Sequence, residues 1–154
     1  MLTDAHDSEK LISVWIHASG RFTDDDARRM VAVLHETGTV FARKKESFSS
    51  WVIIVESDQF PDAKQRQQMA IASRPLGRAY LAVVNRSMLV RGVLTAMRWI
   101  NRKEEYAPRV FATYEEARAW LVAETGYPPA AFDVLHAEAR SKIGGTIEPS
   151  GHRA

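Results

Sequence analysis

The chain has 154 residues, 45% hydrophobic and 26% charged, the size and balance of one globular domain that can bury about two-thirds of the surface its unfolded form exposes. Its net charge is only +2 despite a sequence pI near 9.0, so the chain as a whole lacks the field of a dedicated nucleic-acid binder. The absence of cysteine excludes disulfides, thiol catalysis and thiolate metal sites. Together with an acidic start that has no basic region leading into an apolar one, it predicts a cytoplasmic protein without a signal peptide.

Residues 1–10 read as a polar leader. In residues 11–17, Ile12, Val14 and Ile16 alternate with Ser13, Trp15 and His17, which predicts a strand. Ser19-Gly20 breaks it, and Thr23 with Asp26 in the capping-box position opens a helix whose apolar stripe is Ala27, Met30, Val31 and Leu34. Gly38 permits an end near His35 or a longer helix closing on Arg43-Lys44-Lys45. The reading adopted is the longer one, with Gly38 at a packing contact.

Residues 51–55 form a continuous β-branched run, the pattern of a central strand covered on both faces. Residues 62–73 predict a glutamine-rich helix with Asp62 at its start, ended by Pro75 and Gly77. A second buried strand, residues 79–84, passes through Asn85-Arg86-Ser87 into a helix over residues 87–101 with Leu89, Val90, Val93, Leu94, Met97 and Ile100 on one face. Residues 109–111 predict a short last strand. Thr113 and Glu116 cap a helix over residues 114–123 that stops at Gly126. Residues 126–154 read as a C-terminal extension, with a helical piece over 132–140 and a mobile tail from Gly144. The resulting order, β-α-β-α-β-α-β-α, predicts an α/β domain over residues 11–125 with about four mostly parallel strands and helices packed on them.

The opening Leu11-Ile-Ser-Val-Trp-Ile-His-Ala-Ser-Gly-Arg-Phe-Thr23, the central Trp51-Val-Ile-Ile-Val-Glu-Ser-Asp58 and the block from Ala82-Val-Val84 along the helix to Trp99 carry a resemblance. With Arg109-Val-Phe111 and the helix through Trp120, the sequence resembles the STAS domain shared by sulfate transporters and anti-sigma-factor antagonists, and in particular small stand-alone bacterial STAS-like proteins. The resemblance implies a regulatory or adaptor module in bacterial signalling that binds a protein, or in some cases a nucleotide or lipid, rather than an enzyme. The family's antagonists carry a phosphorylated serine or threonine at the helix start after the middle strand. Here Asp62 stands there and Ser57 comes earlier, between Glu56 and Asp58, so that switch does not carry over.

The residues assign no reaction, metal or cofactor. Asp24, Asp25 and Asp26 suit a helix N-terminus, and His6, His17, His35, His136 and His152 are scattered with no i, i+4 pair. There is no nucleophile elbow and no glycine-rich phosphate loop. Two surfaces remain. Arg91, Thr95, Arg98 and Arg102, with Trp99 beside them, form a basic stripe on the 87–101 helix, suited to a protein partner or to a second copy of the chain. The alternative is a small-ligand crevice at the strand carboxyl ends, built from Ser57, Asp58, Asn85, Arg86 and Ser87. Peripheral membrane contact stays open for the stripe, whereas nucleic acid ranks last because no aromatic residues interleave it. Trp15, Trp51 and Trp120 read as packing residues.

Overall fold

The structure, a computed structural model, describes residues 1–44, 48–88, 90–91 and 108–145. Five strands form one sheet: β1 (Leu2–Asp7), β2 (Ile12–His17), β3 (Ser49–Val55), β4 (Ala79–Val84) and β5 (Arg109–Phe111). They lie in chain order, with β1 antiparallel to β2 and every later pair parallel. Among the described residues the helices are α1 (Asp24–Lys44), α2 (Ala63–Ser73), followed by a 3-10 turn (Arg74–Leu76), α3 (Tyr114–Thr125) and α4 (Pro129–Gly144), and a further helical turn opens at Met88. The rest of the expected 87–101 helix, with Thr95, Arg98, Trp99 and Arg102, lies outside the described residues, as does the tail from residue 146.

Two expectations are corrected. Residues 1–10 are not a leader, because six of them form β1 and raise the strand number from four to five. The apolar alternation there is sparse: Leu2 is buried on the α1 side and Ala5 on the α4 side, while Asp4 and His6 find partners sideways and the buried Thr3 hydroxyl has none. Asp4 pairs with Arg29 of α1 and lies 2.6 Å from His6 Nε2, and His6 Nδ1 lies 2.7 Å from Ser13 Oγ, which accepts the Trp15 indole N–H at 2.9 Å. The carbonyls of Leu2 and Asp4 accept from Arg29 and Lys142 at 3.1 and 2.7 Å, so charged side chains occupy an edge that would otherwise template another strand.

Nor is the segment after Gly126 an appendage. Phe132, Leu135 and Ala139 of α4 are buried against Ile12, Val14 and Ile16, so α4 and α3 make one complete layer of the core. Pro129 at the first helical position, where an amide would go unused anyway, starts α4 three residues before the sequence reading placed it.

On the other face, α1 and α2 cover Trp15 and Trp51, both buried, with Met30, Leu34, Ala72 and Leu76 between. α1 does run to Lys44. Gly38 is buried against Pro75, and a Cβ there would meet the proline ring at 3.3 Å. The capping boxes at Thr23, Asp62 and Thr113 all form, and Gly126 ends α3 in the left-handed conformation, φ 72°.

Candidate functional site

The parallel strands end on one side of the sheet in a crevice of about 740 Å³, between the turns after β3 and β4, the start of α3 and the inner side of α4. The structure brings Ser57, Asp58, Asn85, Arg86 and Ser87 together along its lining, as their strand-end positions predict.

Most of these groups are engaged within the fold. Asn85 is buried, donates through Nδ2 to the Val55 carbonyl at 3.0 Å, and accepts the Ser87 amide at 2.8 Å. Its own amide donates to the Phe111 carbonyl at 3.0 Å, so one side chain and one peptide join β3, β4 and β5. Ser57, also buried, donates to the Gly20 carbonyl at 2.9 Å and accepts from the Gln59 amide at 3.0 Å, which ties the exit of β3 to the turn before α1. Ser87 caps the helical turn, its hydroxyl accepting from Val90 at 3.4 Å. Arg91, the one described member of the basic stripe, turns back and donates to the Asn85 and Arg86 carbonyls at 3.0 and 2.8 Å. Asp58 is exposed and accepts from the Gln59 amide side chain at 3.3 Å, and the exposed Arg86 guanidinium makes no hydrogen bond or ion pair among the described residues, though its charge acts on Glu56.

The other wall comes from residues the sequence does not connect. Arg140 of α4 grips Glu56 with two hydrogen bonds, 2.8 and 2.5 Å, across 84 residues of chain, and this grip holds the Glu56 carboxyl below the ordinary glutamate range. Tyr114, at the start of α3, donates to Asp133 at 3.0 Å, and Arg118 donates to the same carboxylate. Burial first, then the Asp133 hydrogen bond, raise the Tyr114 phenol well above its ordinary value. His136 stacks on Tyr114 with ring centroids 3.9 Å apart, and its Nε2 is buried without a partner. Burial first, then the charge of Arg140, lowers the pKa of this ring below the ordinary histidine value.

The described lining carries Glu56, Asp58 and Glu115 against Arg86 and Arg140, with no positive excess to draw in an anion. The apolar Phe60 lines the crevice and is 41% exposed; Met88, outside the lining but next in the chain to Ser87, is 79% exposed. Neither residue stands out in the sequence, since Phe60 is a single apolar residue in a polar turn and Met88 merges into the apolar run with Leu89 and Val90. Among the described residues no group of three metal-ligating side chains converges, and no helix is long and apolar enough to cross a membrane. No protein-family model, curated protein or solved structure matches the chain.

Proposed function

We propose that the chain is a non-catalytic regulatory or adaptor domain of STAS-like type, acting in the bacterial cytoplasm by binding a protein partner across the carboxyl-end crevice and the helical turn beside it. The observation that carries this reading is how the crevice uses its polar groups. Ser57, Asn85, Tyr114, Glu56 and Arg140 hold the crevice walls to one another. Nucleophilic catalysis wants a hydroxyl facing a base, and the Ser57 hydroxyl faces a carbonyl and an amide instead. Phe60 on the crevice lining and Met88, the residue after Ser87, stay exposed, and exposed apolar residues in and beside a concavity suit protein anchors. The resemblance of the sequence, the chain-order strands and the helices on both faces support the STAS-like part of the reading. The lack of cysteine supports the compartment.

A second reading has one observation in its favour. A volume near 740 Å³ falls among those of small-molecule sites, roughly 300–1,000 Å³, which keeps a small-ligand protein as the alternative. Affinity recovery of partners from native cells by wild type, by a Phe60→Asp, Met88→Asp variant and by an Arg91→Glu, Arg98→Glu variant separates the two. The adaptor reading expects a defined set of proteins that the first variant loses while its melting temperature is kept. Unchanged recovery in both variants removes this face from consideration. A concentration-dependent rise in melting temperature with a nucleotide, lipid or phosphate compound supports the small-ligand reading.

A further inference from the structure

Folding also assembles a row of rings from residues spread between positions 48 and 120 of the sequence. Phe48 packs edge-on against Tyr80, centroids 5.5 Å apart, Tyr80 against Trp120 at 5.9 Å, and Trp120 lies at 5.6 Å from Phe111. All four rings are half-buried. Two exposed arginines lie over this row: the Arg78 guanidinium is 5.5 Å from the Tyr80 centroid and that of Arg109 is 5.3 Å from Trp120. Neither has a carboxylate partner among the described residues, and the nearest acid in the bonding pattern, Glu124, accepts the Trp120 indole N–H at 3.1 Å.

We propose that the row Phe48, Tyr80, Trp120 and Phe111, with Arg78 and Arg109, binds single-stranded nucleic acid. The argument is one of complementarity. Each guanidinium lies over a ring and has no carboxylate partner among the described residues, so its N–H groups can donate to phosphate oxygens. The rings of the row are each partly exposed, and partly exposed aromatic rings beside arginines are the combination that sequence-tolerant single-strand binders use. A duplex keeps its base faces covered and an acidic peptide has none, so either would engage the arginines and leave the rings unused. The basic stripe of the sequence lacks interleaved rings, but the sheet supplies them beside a different set of arginines.

The test is fluorescence anisotropy of a labelled oligothymidylate of about 20 nucleotides with the full chain at about 50 mM salt, repeated at rising salt. Wild type is expected to bind, and an Arg78→Gln, Arg109→Gln variant to bind at least about tenfold more weakly, with a log K against log salt slope shallower by about 1.4 for two lost phosphate contacts. Phe48→Leu and Trp120→Leu should each weaken binding by about tenfold with the slope retained, the signature of stacking rather than charge. Arg21→Gln, an exposed change at the opposite end of the sheet, should bind as wild type. Circular dichroism melts identify any variant that has lost its fold, and Phe48→Leu, outside the regular elements, serves if Trp120→Leu does. The proposal is overturned if wild type does not bind, if the double arginine variant binds equally well, or if a duplex or polyglutamate of matched length binds as tightly as the single strand.

Discussion

Replacing Asn85 by alanine removes two hydrogen bonds and leaves the backbone bond from its amide to Phe111 in place. The Val55 carbonyl loses its side-chain donor beside a buried residue, whereas water can replace the acceptor lost to the exposed Ser87 amide. One such loss costs about 1–2 kcal/mol and the other about 1 kcal/mol, so the variant should be destabilised by about 2–3 kcal/mol. For a chain of 154 residues this lowers the melting temperature by about 4–12 °C. Urea unfolding followed by far-ultraviolet circular dichroism gives the free energy, and calorimetry gives the melting point. Asn85→Asp keeps an acceptor for Ser87 but sets a carboxylate against the Val55 carbonyl, so near neutral pH it should lose at least as much. A loss below about 0.5 kcal/mol for Asn85→Ala would refute the view that the crevice polar groups hold its walls together.

Gly77→Ala forces a side chain onto a backbone with φ 58° and a Cβ to 3.0 Å from the Phe41 ring; Gly126→Ala has a similar φ but open space, so calorimetry should find both destabilised and the first more so. Burial, as the leading cause, lowers the pKa of His17 and His136 below the ordinary histidine value of about 6.5, so the unfolded chain takes up protons that the folded chain refuses. Their contribution to stability is complete above that pH and shrinks as pH falls toward the folded values, by at most about 1.4 kcal/mol per pH unit for each ring; His17→Gln, His136→Gln should flatten the urea-midpoint profile between about pH 6.5 and 5. Arg140→Gln should return the Glu56 carboxyl upward toward its ordinary range in an NMR titration while costing less than about 1 kcal/mol, because the pair is partly exposed and screened by solvent.

Burial on both faces made the middle of the fold readable. The strands at Val52, Ile54, Ala82 and Val84 are apolar because helices cover them, and the caps at Thr23, Asp62 and Thr113 announce themselves through local hydrogen-bonding chemistry. β1 was not readable, since Asp4 and His6 are held by Arg29 and Ser13 and the Asp4 carbonyl by Lys142, with little alternation toward a core. Five lining residues of the crevice were readable because parallel strands end there. Tyr114, His136 and Arg140 were not: their part depends on α4 folding back over the sheet to meet Glu56, a pairing across 84 residues that no local pattern encodes. The aromatic row is missed for the same reason, its rings coming from the approach to β3, from β4, from β5 and from α3.

The most direct measurement of the central claim is photo-crosslinking in native cells, with p-benzoylphenylalanine placed at Phe60 on the crevice rim or, as a control, at Ile71, an exposed apolar residue of α2. A protein-binding crevice predicts one discrete protein adduct from position 60 that is absent from position 71 and is lost when Met88→Asp is added. Equal adducts from both positions, or none from position 60, would contradict it.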